Sequence, residues 1–403
     1  MIKHASIVPL IGGETIAQQN ILGSRPDYLL SYSPFKNNDS HLVNYYNNEV
    51  PYILLDTQGA PRLHGVDVVS TTCPCAGLSS LSPSASSNSA MNEWMFRSAE
   101  YTLGNVSPMV FWGENAPRLA SKLGEPVVYR LRSIGKKYGY TFSMFKTKSL
   151  IHGLSQVRDR VFYFFWKGSQ IPIFDYICVK DHEKIEDTIM NASKDAGPND
   201  PMDILTNKKT PSADPFYQFL LDGRSHEEFT KTLTQSANVL RHIEASGTKY
   251  KAVAEWLRAK GFPEREAKKA DRMHAKLESG GNIMRKQIEI PKNYIGAFVG
   301  HFPTMLTHPS EDRFLTVREC LAIMKLPSDF QLLNPSRFLN HICQNVPVTT
   351  AEFPVKMIKA YIGGELKLVE TPFLIQDNKN RTITTDGEER SDLSEFFQCT
   401  TQE

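Results

Sequence analysis

The residues of this chain best placed to do chemistry begin with a thiol. In VDVVSTTCPCAGLSSLSP, Cys75 follows Pro74 at the end of an apolar strand-like run and precedes a turn of small residues, so it faces a cleft and not the core. Ionised, such a thiol is a strong nucleophile. Cys73, one residue further back, makes half of a metal site conceivable. No second cysteine pair or histidine cluster at ligand spacing accompanies it, so no metal is expected. Glu114 and Asn115 close a second apolar run, PMVFWGEN, and Arg158 and Arg160 open a third in GLSQVRDRVFYFF. Taken singly, a glutamate after a strand is most often a helix cap and an Arg-x-Arg pair a solvated surface feature. Together they put a nucleophile, a carboxylate and two guanidinium groups at one edge of a sheet, which is how α/β enzymes assemble sites.

The elements that must hold these groups can be read from hydrophobic periodicity. YLLSYS, VPYILLD, VDVVSTT, PMVFWGE, YGYTFSMFKT and VFYFFWKG read as strands. Between them, NEWMFRSAEYTL and APRLASKLGEPVVYRLRSIGKKYG carry apolar residues at helical spacing. This alternation predicts an α/β fold with a mostly parallel sheet, helices on both faces and the site at the carboxyl ends of the strands. Beyond about residue 171 the texture changes to a loop-rich stretch. A helical one follows, SANVLRHIEASGTKYKAVAEWLRAKGFPEREAKKADRMHAKLESGGNIMRKQIEIPK, in which basic residues outnumber acidic ones by about two to one. Residues 306–375 return to ordinary helix patterning, and the polar tail from Asp377 is expected to fray. There is no internal repeat.

Composition narrows the class. With 403 residues, 40% hydrophobic and 22% charged, the chain can bury a core, and its length suits a large domain plus a smaller one. A net charge of +2 means that a polyanionic partner must be met by a local basic face. The six cysteines are too few and too scattered for a disulfide framework. No run approaches the roughly twenty apolar residues of a membrane span. A cytoplasmic, nucleoid-associated monomer is expected.

The order of these motifs resembles the DNA (cytosine-5)-methyltransferase family. Pro74-Cys75-Ala76-Gly77-Leu78-Ser79 matches its nucleophile motif, with Ala76 where the family usually has Gln. Glu114-Asn115-Ala116, preceded by Pro108 and a strand, is similar to its Glu-Asn-Val motif, and Gln156-Val157-Arg158-Asp159-Arg160 to its Gln-x-Arg-x-Arg motif. Further on, RFLTVRECLAIMKLPSDF (313–330) is similar to the Arg-x-Leu-Thr-x-Arg-Glu stretch. CQNVPVTTAEFPVKMIKAYI resembles the closing Gly-Asn-x-Val-Pro helix, matching Asn345 and Pro347 with Gln344 in place of Gly. At the N-terminus, VPLIGG supplies Gly12 and Gly13 of the family's glycine motif, while Val8 and Leu10 occupy its Phe and first Gly places.

The resemblance implies a Rossmann-like S-adenosylmethionine-dependent methyltransferase sheet (1–170, completed by 306–375). It also implies a smaller inserted target-recognition domain (171–305) and a flexible tail (376–403). Cys75, with Pro74, would add to carbon 6 of a flipped cytosine. Glu114 with Asn115 would protonate or hydrogen-bond the ring, Arg158 would hold its carbonyl, and Arg160 would support the loop. The cosubstrate would lie on Leu10, Ile11, Gly12, Gly13, Asp56 and Asn345. Lys36 aligns where the family has the acidic residue on the ribose, with Asp39 the nearest carboxylate. A lysine there raises the alternative of a modified cosubstrate, for example one with an added carboxylate, or of a catalytically weak DNA-binding relative. Double-stranded DNA would be gripped by Gln156, Lys268, Lys269 and Arg272.

Overall fold

The computed structural model describes all residues except 75, 80, 81, 83, 178–180, 286, 287, 345, 386, 387 and 391–403. The chain divides into two compact units. The first comprises residues 1–182, 324–333 and 341–403, and the second residues 183–323 and 334–340. These boundaries lie about a dozen residues later than the expected 171 and well beyond the expected 305.

The first unit is built on ten strands: β1 (His4–Ile7), β2 (Tyr28–Ser31), β3 (Tyr52–Leu54), β4 (Val68–Thr71), β5 (Val110–Asn115), β6 (Tyr140–Lys148), β7 (Asp159–Lys167), β8 (Phe373–Asp377), β9 (Thr382–Thr385) and β10 (Glu388–Arg390). Their order across the sheet is β10-β9-β8-β6-β7-β5-β4-β1-β2-β3. From β5 to β3 all pairs are parallel. Chain connections leave β1 towards β2 and return on its other side to β4, which makes the β1/β4 edge a switch point where ligands collect. The expectation of a mostly parallel sheet holds for this half only. β7 runs antiparallel between β5 and β6, and β9 and β10 extend the far edge antiparallel. The tail expected to fray from Asp377 instead begins as sheet: β8 pairs parallel with β6, and Ile383 of β9 is buried.

Both faces of the sheet are covered, for reasons visible in its alternation. Ala5, Ile7, Val69 and Phe111 point to one face, where Met95, Phe96 and Ala99 of α3 (Glu93–Tyr101) and Val127, Leu131 and Ile134 of α4 (Glu125–Lys137) pack. Ser6, Ser70 and Trp112 point to the other, under α1 (Gly13–Leu22). Gln18 of that helix accepts from the Trp112 indole at 2.9 Å and donates to Ser70 at 3.1 Å, and Ser6 and Ser70 share a bond of 2.7 Å. These buried polar groups are satisfied by one another, so helix and sheet are held in one register. VFYFFW reads as a continuous apolar run because β7 is buried on both faces.

The second unit is largely helical with its own core. Tyr250, Val253 and Leu257 of α9 (Tyr250–Ala259) pack with Ala267 and Ala270 of α10 (Glu264–Glu278), Phe216 and Tyr217. The small alanines on α10 let the two helices approach closely. The stretch RFLTVRE acts structurally here. Thr316 and Glu319 exchange N–H bonds at 2.8 and 3.2 Å as a capping box for α11 (Val317–Ile323). Arg313 grips Glu319 at 2.7 and 2.9 Å, and Arg318 grips Asp200 at 2.6 and 2.9 Å.

Candidate active site

The loop between β1 and α1 turns three times through left-handed backbone, at Val8 (φ 52°), Leu10 (φ 51°) and Gly12 (φ 92°). Glycine adopts this conformation freely, whereas a bulky or β-branched residue is strained there by roughly 1 kcal/mol or more. Leu10 thus keeps the backbone shape of a glycine motif without the glycine. A Cβ on Gly12 would stand 2.4 Å from the buried Leu42 side chain, which would have to shift, and would add backbone strain at this φ. Leu10, Ile11, Gly12 and Gly13 are all buried.

Asp39, on α2 (Lys36–Tyr45), explains how the loop is held. It is fully buried and accepts from Leu10 N at 3.0 Å and from the Tyr52 hydroxyl at 2.8 Å. Burial pushes its carboxyl up to about 7. Both oxygens are engaged inside the protein, so Asp39 is not an open carboxylate for a ribose. Lys36 is exposed at the first turn of the same helix. Asp56 lies after β3 and accepts from Ser33 N at 2.9 Å and Ser33 Oγ at 3.0 Å. A groove at the carboxyl ends of β2 and β3 is lined by Tyr32, Leu55, Phe96, Arg97 and Tyr101. Tyr32 leans on Trp94 at 5.0 Å between ring centroids. An aromatic and aliphatic floor with a polar rim suits a purine ring. Asn345 lies outside the described residues, but its neighbours dock on α2: His341 meets His41 at 3.0 Å, and Asn38 bonds Gln344.

At the end of β4, Thr72 and Cys73 are buried and Pro74 is half-buried; Cys75 lies outside the described residues. The Cys73 thiol sits 3.2 Å from Thr71 Oγ1 and 3.5 Å from Ser98 Oγ, and burial pushes it up to about 11. It is therefore an inert thiol at neutral pH. Glu114, 2% exposed at the end of β5, is ion-paired with Arg160 Nε. Arg158 is buried and donates to the Cys343 carbonyl at 3.2 Å. Asn115 turns inward: its amide donates to the Met95 sulfur at 3.2 Å and its oxygen accepts from Ala116 N at 2.8 Å.

One expected residue stands elsewhere than foreseen. Gln156 is fully buried, with its amide 3.8 Å from the Met324 sulfur, so it does not present its amide as a DNA contact. A two-residue offset from buried Arg158 on an extended chain puts both side chains on one face. Lys268, Lys269 and Arg272 are exposed on α10 as expected, although Lys269 also lies 4.9 Å over the Phe216 ring.

One residue escaped the motif reading. Glu14, in the first turn of α1, is 1% exposed; Oε2 accepts from the Thr72 hydroxyl at 2.8 Å, and Oε1 has no hydrogen-bond partner among the described residues. Burial first, then the nearby charge of Glu114, pushes its carboxyl up to about 8. Its sequence neighbours, GGET, give no hint of this, because the desolvation comes from β4 and β5. An acid with a raised folded pKa holds its proton more tightly folded than unfolded. Its effect is absent below about pH 4, then destabilises progressively until about pH 8. Glu14→Gln should therefore be more stable than wild type at pH 9, by several kcal/mol (about 5), and equal to it at pH 4. Urea melts at the two pH values check this; equal differences at both would place Glu14 in contact with water.

Among the described residues no group of three or more His, Cys, Asp or Glu side chains could hold a metal ion, and no helix is long and apolar enough to cross a membrane. The chain is similar in fold to a DNA modification methyltransferase encoded within an E. coli prophage. The two share 13% identity and a TM-score of 0.53 over 90% of this chain and 100% of the other. It is also similar to the Entamoeba histolytica methyltransferase EhMeth, with 11% identity and a TM-score of 0.52 over 90% and 98% of the two chains. No curated protein sequence matches it significantly. Residues 36–360, which carry the segments around Cys75, Glu114, Arg158 and the returning motifs, match the model of the C-5 cytosine-specific DNA methylases, and the chain belongs to that family.

Proposed function

We propose that this member of the family methylates carbon 5 of cytosine in double-stranded DNA through a covalent intermediate on Cys75. One observation carries the reading: paired Glu114 and Arg160 stand at the carboxyl end of β5, next to the strand whose end leads through Thr72 and Pro74 into Cys75. Arg158 lies within electrostatic reach of the buried Glu14 there.

Carbon 5 of cytosine is a poor nucleophile. A Cys75 thiolate adding at carbon 6 turns the ring into an enamine that can attack an electrophilic methyl group. Glu114 gives a proton to ring nitrogen 3 as charge develops, and Arg160 fixes the orientation of that carboxyl. Arg158 holds the carbonyl at position 2. None of these groups can reach a base inside the stack, so the target is flipped out of the duplex. S-adenosylmethionine, the family's cosubstrate, supplies the activated methyl group when bound. The residues present fit its adenosine end: the left-handed turn at Gly12, the Tyr32–Leu55–Phe96 groove and Asp56 would hold it. Lys36, exposed, and Asp39, with both oxygens engaged inside the protein, do not supply the ribose carboxylate.

Mass spectrometry of total nucleosides, after expression in a host without other modification enzymes, tests the reading. 5-Methylcytosine is the expected product. A larger added mass would point to a modified cosubstrate, and unmodified DNA that the protein nevertheless binds would point to a binding protein.

The second unit is proposed as the target-recognition domain, supported by its exposed cations on α10. Neutralising Lys268, Lys269 and Arg272 together should weaken binding to every duplex and flatten its salt dependence by about two to three units of slope, as lost phosphate contacts do. Fluorescence anisotropy at several salt concentrations measures it, and an unchanged slope would make that helix an ordinary solvated face.

A further inference from the structure

The reaction needs a proton on Glu114 at the moment the thiolate adds, and in the structure Glu114 is ion-paired with Arg160. A second buried acid, Glu14, lies within electrostatic reach of it. Trp112 and Glu114 lie two residues apart on β5 and share the face covered by α1, the helix whose first turn carries Glu14. Glu14 is shielded from water by that packing and tied to Thr72, three residues before Cys75, while its other oxygen has no hydrogen-bond partner among the described residues. A buried carboxyl with one unsatisfied oxygen is costly in a folded protein, and its bond to Thr72 at the start of the nucleophile segment calls for a role.

We infer that Glu14 and Glu114 form a carboxyl pair holding one proton, in which Glu14 stores the proton that Glu114 delivers to ring nitrogen 3. The inference rests on the functional reading above and adds a positioning residue to it. When Cys75 adds, the carbon 6–sulfur bond forms and the displaced electron pair is taken up at nitrogen 3. Nitrogen 3 gains its proton from Glu114 as Glu114 receives the one from Glu14. The negative charge then rests on Glu14, within reach of Arg158. On elimination the carbon 5 proton leaves to solvent, the carbon 5–carbon 6 double bond re-forms, and the thiolate departs. The nitrogen 3 proton then returns through Glu114 to Glu14, so protons and charge balance over the cycle. The charged and polar groups facing the pair are Thr72 after β4 and Arg160 and Arg158 from the β7 side. Tyr163 of β7 lies on the opposite face with Phe111 and Phe165, and its pKa is raised by burial first, then by Cys73 and the two glutamates. Like charges at close quarters cannot both ionise cheaply, which is why one proton is retained.

Infrared spectroscopy of the free protein reads the pair without reference to activity. A protonated carboxylic acid band should be present at pH 7, titrate near pH 8 and be missing in Glu14→Gln. Glu114→Gln should shift that titration downwards by about half a unit or more, because the neighbouring charge is gone. No acid band at neutral pH, or a midpoint indifferent to Glu114→Gln, overturns the pair. Since only the second arm uses that variant, a Glu14→Gln protein that fails to fold does not rescue the inference. For the relay, Glu14→Gln keeps an acceptor for Thr72 but carries no proton to give. Single-turnover methylation should slow by about tenfold or more, with DNA affinity unchanged, and Glu14→Asp should recover part of the rate. The wild-type rate should fall above about pH 8, and the variant should lose that limb. A wild-type rate and profile in Glu14→Gln overturn the relay. A wild-type protein that neither methylates nor is trapped by a mechanism-based base overturns the functional reading instead, while the infrared arms still judge the pair.

Discussion

Cys75→Ser should yield no detectable 5-methylcytosine, while the wild-type protein should be trapped covalently on a duplex carrying 5-fluorocytosine at the target position. The reaction begins with an anionic nucleophile. A free thiol ionises near pH 8.5 and can be brought lower by adjacent cations, whereas a serine hydroxyl remains protonated throughout the accessible range. Fluorine at carbon 5 removes the proton whose loss would release the enzyme, so the adduct persists and can be located by peptide mass spectrometry. The structure sharpens the control. Cys73 is a buried thiol pushed up to about 11 and packed against Thr71 and Ser98, so Cys73→Ser should retain trapping where Cys75→Ser loses it. An adduct on Cys73, or product from Cys75→Ser, would refute the assignment of the nucleophile.

Glu114→Gln and Arg158→Ala should each lower the single-turnover rate by at least about a hundredfold, the scale on which a general acid or an electrostatic clamp is lost. The two variants fail for different reasons. Glutamine retains the shape of Glu114 but neither donates a proton nor balances Arg160, whose side chain is only 12% exposed. An unpaired guanidinium in that position also destabilises the fold, so thermal melts must accompany the kinetics. Arg158→Ala removes the donor to the Cys343 carbonyl as well as the clamp. Arg158→Lys keeps the charge without the planar fork and should stay nearly as slow if geometry matters. DNA affinity, measured separately, should change little in all three. A wild-type rate in Glu114→Gln or Arg158→Ala would mean that these residues are scaffold only.

Much of this site was legible because its positioning depends on local periodicity. VDVVSTT, PMVFWGE and VFYFFWKG are short apolar runs ended by polar residues, and a strand buried on both faces must look like that. Once three such runs are known to lie in one sheet, the residues at their ends fall at its edge. Glu114 and Arg160, at the ends of two of these runs, form an ion pair. Likewise Thr316 and Glu319 form a capping box within a single turn, the range over which sequence speaks most directly.

What the sequence by itself determined, then, was which residues end which elements: the α/β class, the strands that end in the candidate site residues, the exposed cations of α10 and the order of motifs that names the family. Strand direction and solvent exposure were decided only in three dimensions. β7 lies antiparallel between β5 and β6, and β9 and β10 close the sheet from a segment polar enough to pass for a frayed tail, because pairing with an existing edge satisfies backbone groups whatever the side chains are. Gln156 and Asn115 look like surface amides in sequence but are turned inward by neighbours far along the chain. Asp39 and Glu14 are ordinary carboxylates until the fold removes their water, and a pKa near 7 or 8 follows from that desolvation. Desolvation sums over everything that surrounds a group, and for Glu14 those surroundings come from residues some sixty and a hundred positions away, Thr72 and Glu114.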